Sequence, residues 1–70
     1  MNSEQVILKY LKELHKYDTT AYHSYTTLKK NIKDEKILSI LSEIAEDEKK
    51  HVAILDDLIE KTEARIEKSS

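Results

Sequence analysis

The sequence predicts an all-α protein: one antiparallel helical hairpin over residues 1–70 that pairs with a second copy into a four-helix bundle. Three observations carry this reading. The chain has no Gly, Pro or Cys and is rich in Lys, Glu, Leu and Ile, so it favours helix and lacks the usual residues of tight turns and phosphate loops. Apolar positions recur at alternating steps of four and three residues through both halves, which is the helical period. The two series do not share a phase, so the chain must break between them.

The first helix is expected at about 4–31. Its series runs Ile7, Leu11, Leu14, Asp18, Ala21, Tyr25, Leu28, Ile32. Leu8 and Tyr22 widen the stripe on one side and Tyr17 on the other. Asn2 suits an N-cap, with Gln5 three residues later. Beyond Ile32 the same phase lands on Glu35, Ser39, Ser42 and Glu46, all polar. Asn31 therefore serves the end of the first helix, and Asp34 caps the next with Glu35 in its first turn. One unbroken helix is the competing arrangement, and the phase slip argues against it.

The second helix is expected at about 35–67. Its series runs Ile37, Leu41, Ile44, Glu48, His51, Leu55, Leu58, Thr62, widened by Leu38, Ala45, Val52 and Ile59. Residues 67–70 read as a fraying tail. A chain below roughly 70–80 residues seldom builds a sufficient core alone, so self-association, a metal, or both are expected.

Composition also excludes function classes. The absence of Cys removes disulfides, thiolate catalysis and Cys-ligated zinc. The net charge of −2, with no clustered basic surface, argues against nucleic acid. No apolar run approaches membrane-spanning length and MNSEQ is no signal peptide, so a cytoplasmic protein with no membrane partner is expected.

Three residues are out of character in the apolar series: Asp18 in the first, Glu48 and His51 in the second. Asp18 stands 16 residues before Asp34 and Glu48 14 after it. In a hairpin they come level, with His51 one turn further on; one unbroken helix would hold Asp18 and Glu48 about 45 Å apart. Buried carboxylates without partners are costly, and two copies would crowd four of them into one layer. Two divalent cations would cancel those four charges. Carboxylate and imidazole donors suit iron, manganese or zinc.

The pattern resembles the ferritin-like di-metal carboxylate family, where Glu-x-x-His on one helix meets an acid from another. Within DTTAYHSY, Asp18, Ala21 and Tyr25 are similar to the first ligand helix of rubrerythrin-type members. The resemblance spans both helices and corresponds to half of an ordinary member, restored by dimerisation. It implies Glu48 as a bridging carboxylate, His51 as a terminal ligand and Asp18 as the first-helix carboxylate. Tyr25 would hydrogen-bond a ligand from beside the site, with Tyr22 the next candidate. It further implies two iron ions per dimer, and iron oxidation or the reduction of dioxygen or hydrogen peroxide, with manganese or zinc as other occupants. This chain departs from the family in carrying Asp18 where Glu is usual, and it lacks the rubredoxin-like cysteine domain of the longer members.

Blander readings stand beside this one. Glu48 and His51 could be a polar layer that fixes register in a structural or interaction dimer, or hold a redox-silent zinc ion. The tyrosines are commonly packing residues with wet hydroxyls. His15 reads as a surface-edge histidine, His23 as solvated, and Asp47 as a surface acid within reach of His51.

Overall fold

A computed structural model of the chain describes residues 3–69. Two helices account for nearly all of them: α1, Ser3–Lys29, and α2, Glu35–Ser69. There is no strand among the described residues, so the all-helical hairpin expected from the sequence is present. Its longest dimension is 53 Å, about the length of 35 residues at 1.5 Å each. The long axis of the molecule is therefore α2 itself, with α1 folded back along it.

The break falls where the phase slips. α1 ends in tightened three-residue bonds: Lys30 N–H donates to Thr27 O at 3.1 Å, Asn31 N–H to Leu28 O at 3.0 Å and Ile32 N–H to Lys29 O at 3.3 Å. These satisfy carbonyls that the helix end would otherwise orphan. No described residue has positive φ, so Asn31 closes the helix without the left-handed cap its identity permits. α1 therefore stops at Lys29, two residues short of the expected end. Asp34 caps α2 as expected: Oδ1 accepts from Lys36 N at 2.9 Å and Ile37 N at 3.1 Å, the second and third helical amides. The expected cap at Asn2 lies outside the described residues.

α2 continues past the expected end at 67 to Ser69. Glu67 and Lys68 are good helix formers, and Ser69 Oγ donates back to Arg65 O at 3.0 Å. Thr19, Thr26 and Thr62 do the same to His15 O, Tyr22 O and Leu58 O. Bonding back one turn satisfies a hydroxyl that an apolar helix face could not.

The packing differs from the expected series in one respect. Within the chain α1 turns Leu8, Leu11, His15, Asp18, Tyr22 and Tyr25 toward α2, which answers with Leu38, Leu41, Ala45, Glu48, Val52, Leu55 and Ile59; these are half-buried, and only Ala45 is buried. Ile7, Leu14 and Leu28, central to the α1 series, stay exposed, as do Ile37 and Leu58 of the α2 series. One neighbouring helix covers a sector of roughly 100°, and the apolar stripes are wider than that. Each helix buries one flank of its stripe and leaves the other open.

Candidate metal centre

Asp18, Glu48 and His51 come together in the middle of the hairpin. Each offers one donor atom, and the three atoms lie within 4.8 Å of one another. The helices do this by level: Asp18 on α1 meets Glu48 on α2, and His51 follows three residues on. The carboxylate and the imidazole of α2 therefore share a face. His51 Nδ1 is 3.7 Å from Glu48 Oε1, too long for a hydrogen bond.

Burial grades across the group. The Glu48 side chain is 18 % exposed and that of His51 55 %. Glu48 Oε2 is fully buried and has no hydrogen-bond partner among the described residues. Burial is the main force pushing the Glu48 carboxyl above its ordinary value. The hydrogen bond and charge of Asp18 and the charge of Asp47 push the same way, while the charge of His51 pulls it down. Two ionised carboxylates only accept hydrogen bonds, so Glu48 and Asp18 can bond only through a proton. In the absence of a cation, that proton and the charge of the neighbouring His51 ring are what offset the two carboxylates.

A divalent cation would replace it. Ligand atoms at 2.0–2.2 Å from a metal lie about 3–4 Å apart, so small rotamer changes would bring these three into a first coordination sphere. The hard carboxylates and the imidazole fit iron, manganese or zinc alike. Two of the three residues, Asp18 and His51, also line a shallow open groove of about 200 Å³ with Leu14, Ile54 and Leu55. The site thus lies at the margin of the flank that the hairpin leaves uncovered.

The tyrosines stand apart from the donors. Tyr22 and Tyr25 are half-buried on α1, on the turn side of Asp18, and no hydrogen bond joins either hydroxyl to the three donors. Tyr22 instead meets the exposed His23 edge-on, with ring centroids 5.7 Å apart. Asp47 is exposed and acts on Glu48 by charge.

One pairing escaped the sequence reading. His15 Nε2 lies 2.7 Å from Asp56 Oδ1, and nearby Lys12 Nζ lies 3.6 Å from Glu63 Oε2. Both contacts tie α1 to α2 along the flank opposite the groove. Asp56 is one of two adjacent exposed acids between Leu55 and Leu58 and carries no periodic signal. The level match alone places an α1 residue one turn before Asp18 opposite α2 about one turn beyond Glu48, so Asp56, eight residues on, depended also on how the helices roll against each other.

No helix among the described residues is long and apolar enough to cross a membrane. No family model, curated protein or solved structure matches the chain.

Proposed function

We propose that this chain is a ferritin-like metal-binding hairpin that self-associates around a carboxylate–imidazole centre. The observation that carries the reading is the grouping of one donor atom each from Asp18, Glu48 and His51 within 4.8 Å of one another, with the Glu48 side chain largely buried. Two carboxylates held together on a largely buried face are the arrangement a cation resolves.

Each chain supplies three donors, and two chains supply six. In such a pair the largely buried Glu48 of each chain would hold the cations as the carboxylate shared between them, as the family resemblance implies. His51, at the open edge, would ligate one of them from the outside. Asp18 would hold the opposite side, and Tyr25 or Tyr22 would gain a hydrogen bond to a ligand once the second copy orders the layer. Held by these residues, two Fe(II) ions would supply two electrons, enough with two protons to reduce one hydrogen peroxide to two waters. The roles that follow are iron oxidation, or reduction of peroxide or dioxygen. The protein's part is to hold carboxylate charge where ferric ions form and to keep bulk water from the layer.

Anaerobic Fe(II) titration, followed by calorimetry or elemental analysis, tests this. Wild type is expected to bind one iron per chain and to oxidise it on addition of peroxide. A Glu48→Ala, His51→Ala variant is expected to do neither. Equal binding by both proteins would sink the proposal. Binding without oxidation would leave a structural cation site and discard the redox part.

A further inference from the structure

We infer that Asp47 is a fourth donor of the candidate centre, holding a cation together with His51 at its open edge. The inference rests on the metal reading above and adds one residue to it. Asp47 is exposed and lies outside the row of half-buried side chains that α2 turns toward α1.

Asp47 belongs instead to a second row. Along its open flank α2 carries Ile37, Ile40, Ile44, Asp47, His51, Ile54 and Leu58, at alternating steps of three and four. That is again the helical period, one sector round from the row that meets α1. Ile37, Ile40, Ile54 and Leu58 are 41–58 % exposed. Every position but two is isoleucine or leucine. Those two, Asp47 and His51, fall at the level of Asp18 and Glu48. A solvated helix face would scatter its acids along its length. Here the one acid of the row stands beside the donor layer.

Local geometry supports the same assignment. Side chains four residues apart on a helix have Cβ atoms about 5–6 Å apart, a spacing at which two donors can share one ion. Helical side chains lean toward the N-terminus, so the His51 ring lies back over the turn that holds Asp47 and Glu48. At about 100° per residue, His51 falls between them round the helix, about 60° from Glu48 and about 40° from Asp47. On the Glu48 side its Nδ1 is 3.7 Å from Oε1. The imidazole thus has a largely buried carboxylate to one side and an exposed one to the other. The exposed one is near enough for its charge to be felt at Glu48.

Exposure gives the fourth donor its part. The Glu48 side chain is 18 % exposed and that of His51 55 %, so a cation arriving from solvent meets Asp47 and His51 before Glu48. A ligating imidazole is neutral. Without Asp47 the open edge of the centre would therefore offer no negative charge, and with it the edge offers a carboxylate and an imidazole one turn apart. Oxygen donors of this kind suit manganese and iron.

Calorimetric titration with Mn(II) tests this on wild type and four variants. Asp47→Asn and Asp47→Leu are each expected to bind Mn(II) at least about tenfold more weakly than wild type, and Asp47→Glu to stay within about threefold of it. Glu46→Gln removes the same charge one residue away, on a side of the helix turned from His51, and is expected to bind as wild type does. Asp47→Leu completes the apolar row, so it keeps or strengthens any contact this flank makes. Sedimentation checks that point, and metal-free melting checks that every variant is folded. Weaker binding by both Asp47→Asn and Asp47→Leu is then the loss of a donor. Wild-type affinity in those two variants overturns the inference. Equal weakening in Glu46→Gln also overturns it, by making Asp47 one part of a diffuse negative surface. A wild type that binds no Mn(II) overturns the metal reading and this inference together, whereas a wild type that binds beside unaffected Asp47 variants overturns this inference alone.

Discussion

The two flanks of the helix interface are finished differently. On one, His15 meets Asp56 and Lys12 meets Glu63, so α1 and α2 are laced together by groups that water tolerates. On the other, Leu14 and Ile54 are more than half exposed and His51 projects beside them. Both flanks belong to the same two helices and border the same polar layer. The chain thus ties one side of its helix interface with polar contacts and leaves apolar side chains exposed on the other, the side on which the proposed second copy would dock.

The largest expected effect comes from charging the open flank. Ile54→Lys should weaken self-association by about a hundredfold or more, because an unpaired ammonium in an apolar contact costs several kcal/mol. Asp56→Lys, on the laced flank, should leave the dimer mass unchanged. Sedimentation over a concentration series reads both. A dimer that survives Ile54→Lys and dissociates with Asp56→Lys would reverse the assignment of the flanks.

Next in size is the layer between the flanks. With metal chelated, Glu48→Leu should raise stability by about 1–3 kcal/mol, since it removes a largely buried carboxylate held against that of Asp18. For a chain of this size each kcal/mol moves Tm by about 4–8 °C. Added Mn(II) or Zn(II) should raise the Tm of wild type and leave that of Glu48→Leu unmoved. If the variant melts below the chelated wild type, the Glu48 carboxyl is already satisfied and needs no cation.

Much of this was legible in the sequence, for identifiable reasons. The period gave two helices, and the phase slip placed the turn at the residues where α1 tightens and Asp34 caps α2. Asp18, Glu48 and His51 stood out because each interrupts an apolar series, and equal distance from the turn made them level. The division of each stripe into a covered and an open flank was not legible. Ile7 and Leu8 are equally apolar, and which of them faces α2 depends on how the helices roll against each other. The pairing of His15 with Asp56 was hidden for the same reason, because it depends on roll and level together.

Acidity gives a smaller effect with a definite sign. Burial and Asp18 raise the Glu48 carboxyl above the ordinary glutamate value of about 4.3. The folded chain therefore binds this proton more tightly than the unfolded one. Its contribution to stability is full below the unfolded value and is lost as pH rises through the raised folded value. Metal-free protein should thus lose stability between mildly acidic and neutral pH by an amount that Glu48→Gln abolishes. Saturating Mn(II) should reverse the trend, because the cation competes with the proton. Melting curves across that range decide it, and a pH trend that persists in Glu48→Gln would move the cause to another group.

The smallest effect sharpens the comparison most, because it sets one histidine against another. His15 and His51 both lie close to the polar layer, on opposite flanks. His15→Ala removes a partly exposed contact with Asp56, and such contacts contribute about 0–1 kcal/mol. It should lower Tm by about 8 °C at most and leave metal stoichiometry intact. His51→Ala removes no short contact within the chain, since its nearest carboxylate oxygen is 3.7 Å away, and should hardly change the metal-free Tm. It should nevertheless abolish the metal-induced rise. Calorimetric titration with Mn(II) alongside the melts separates the two roles. If His15→Ala weakens metal binding as much as His51→Ala does, the centre extends across the hairpin and the laced flank is part of it.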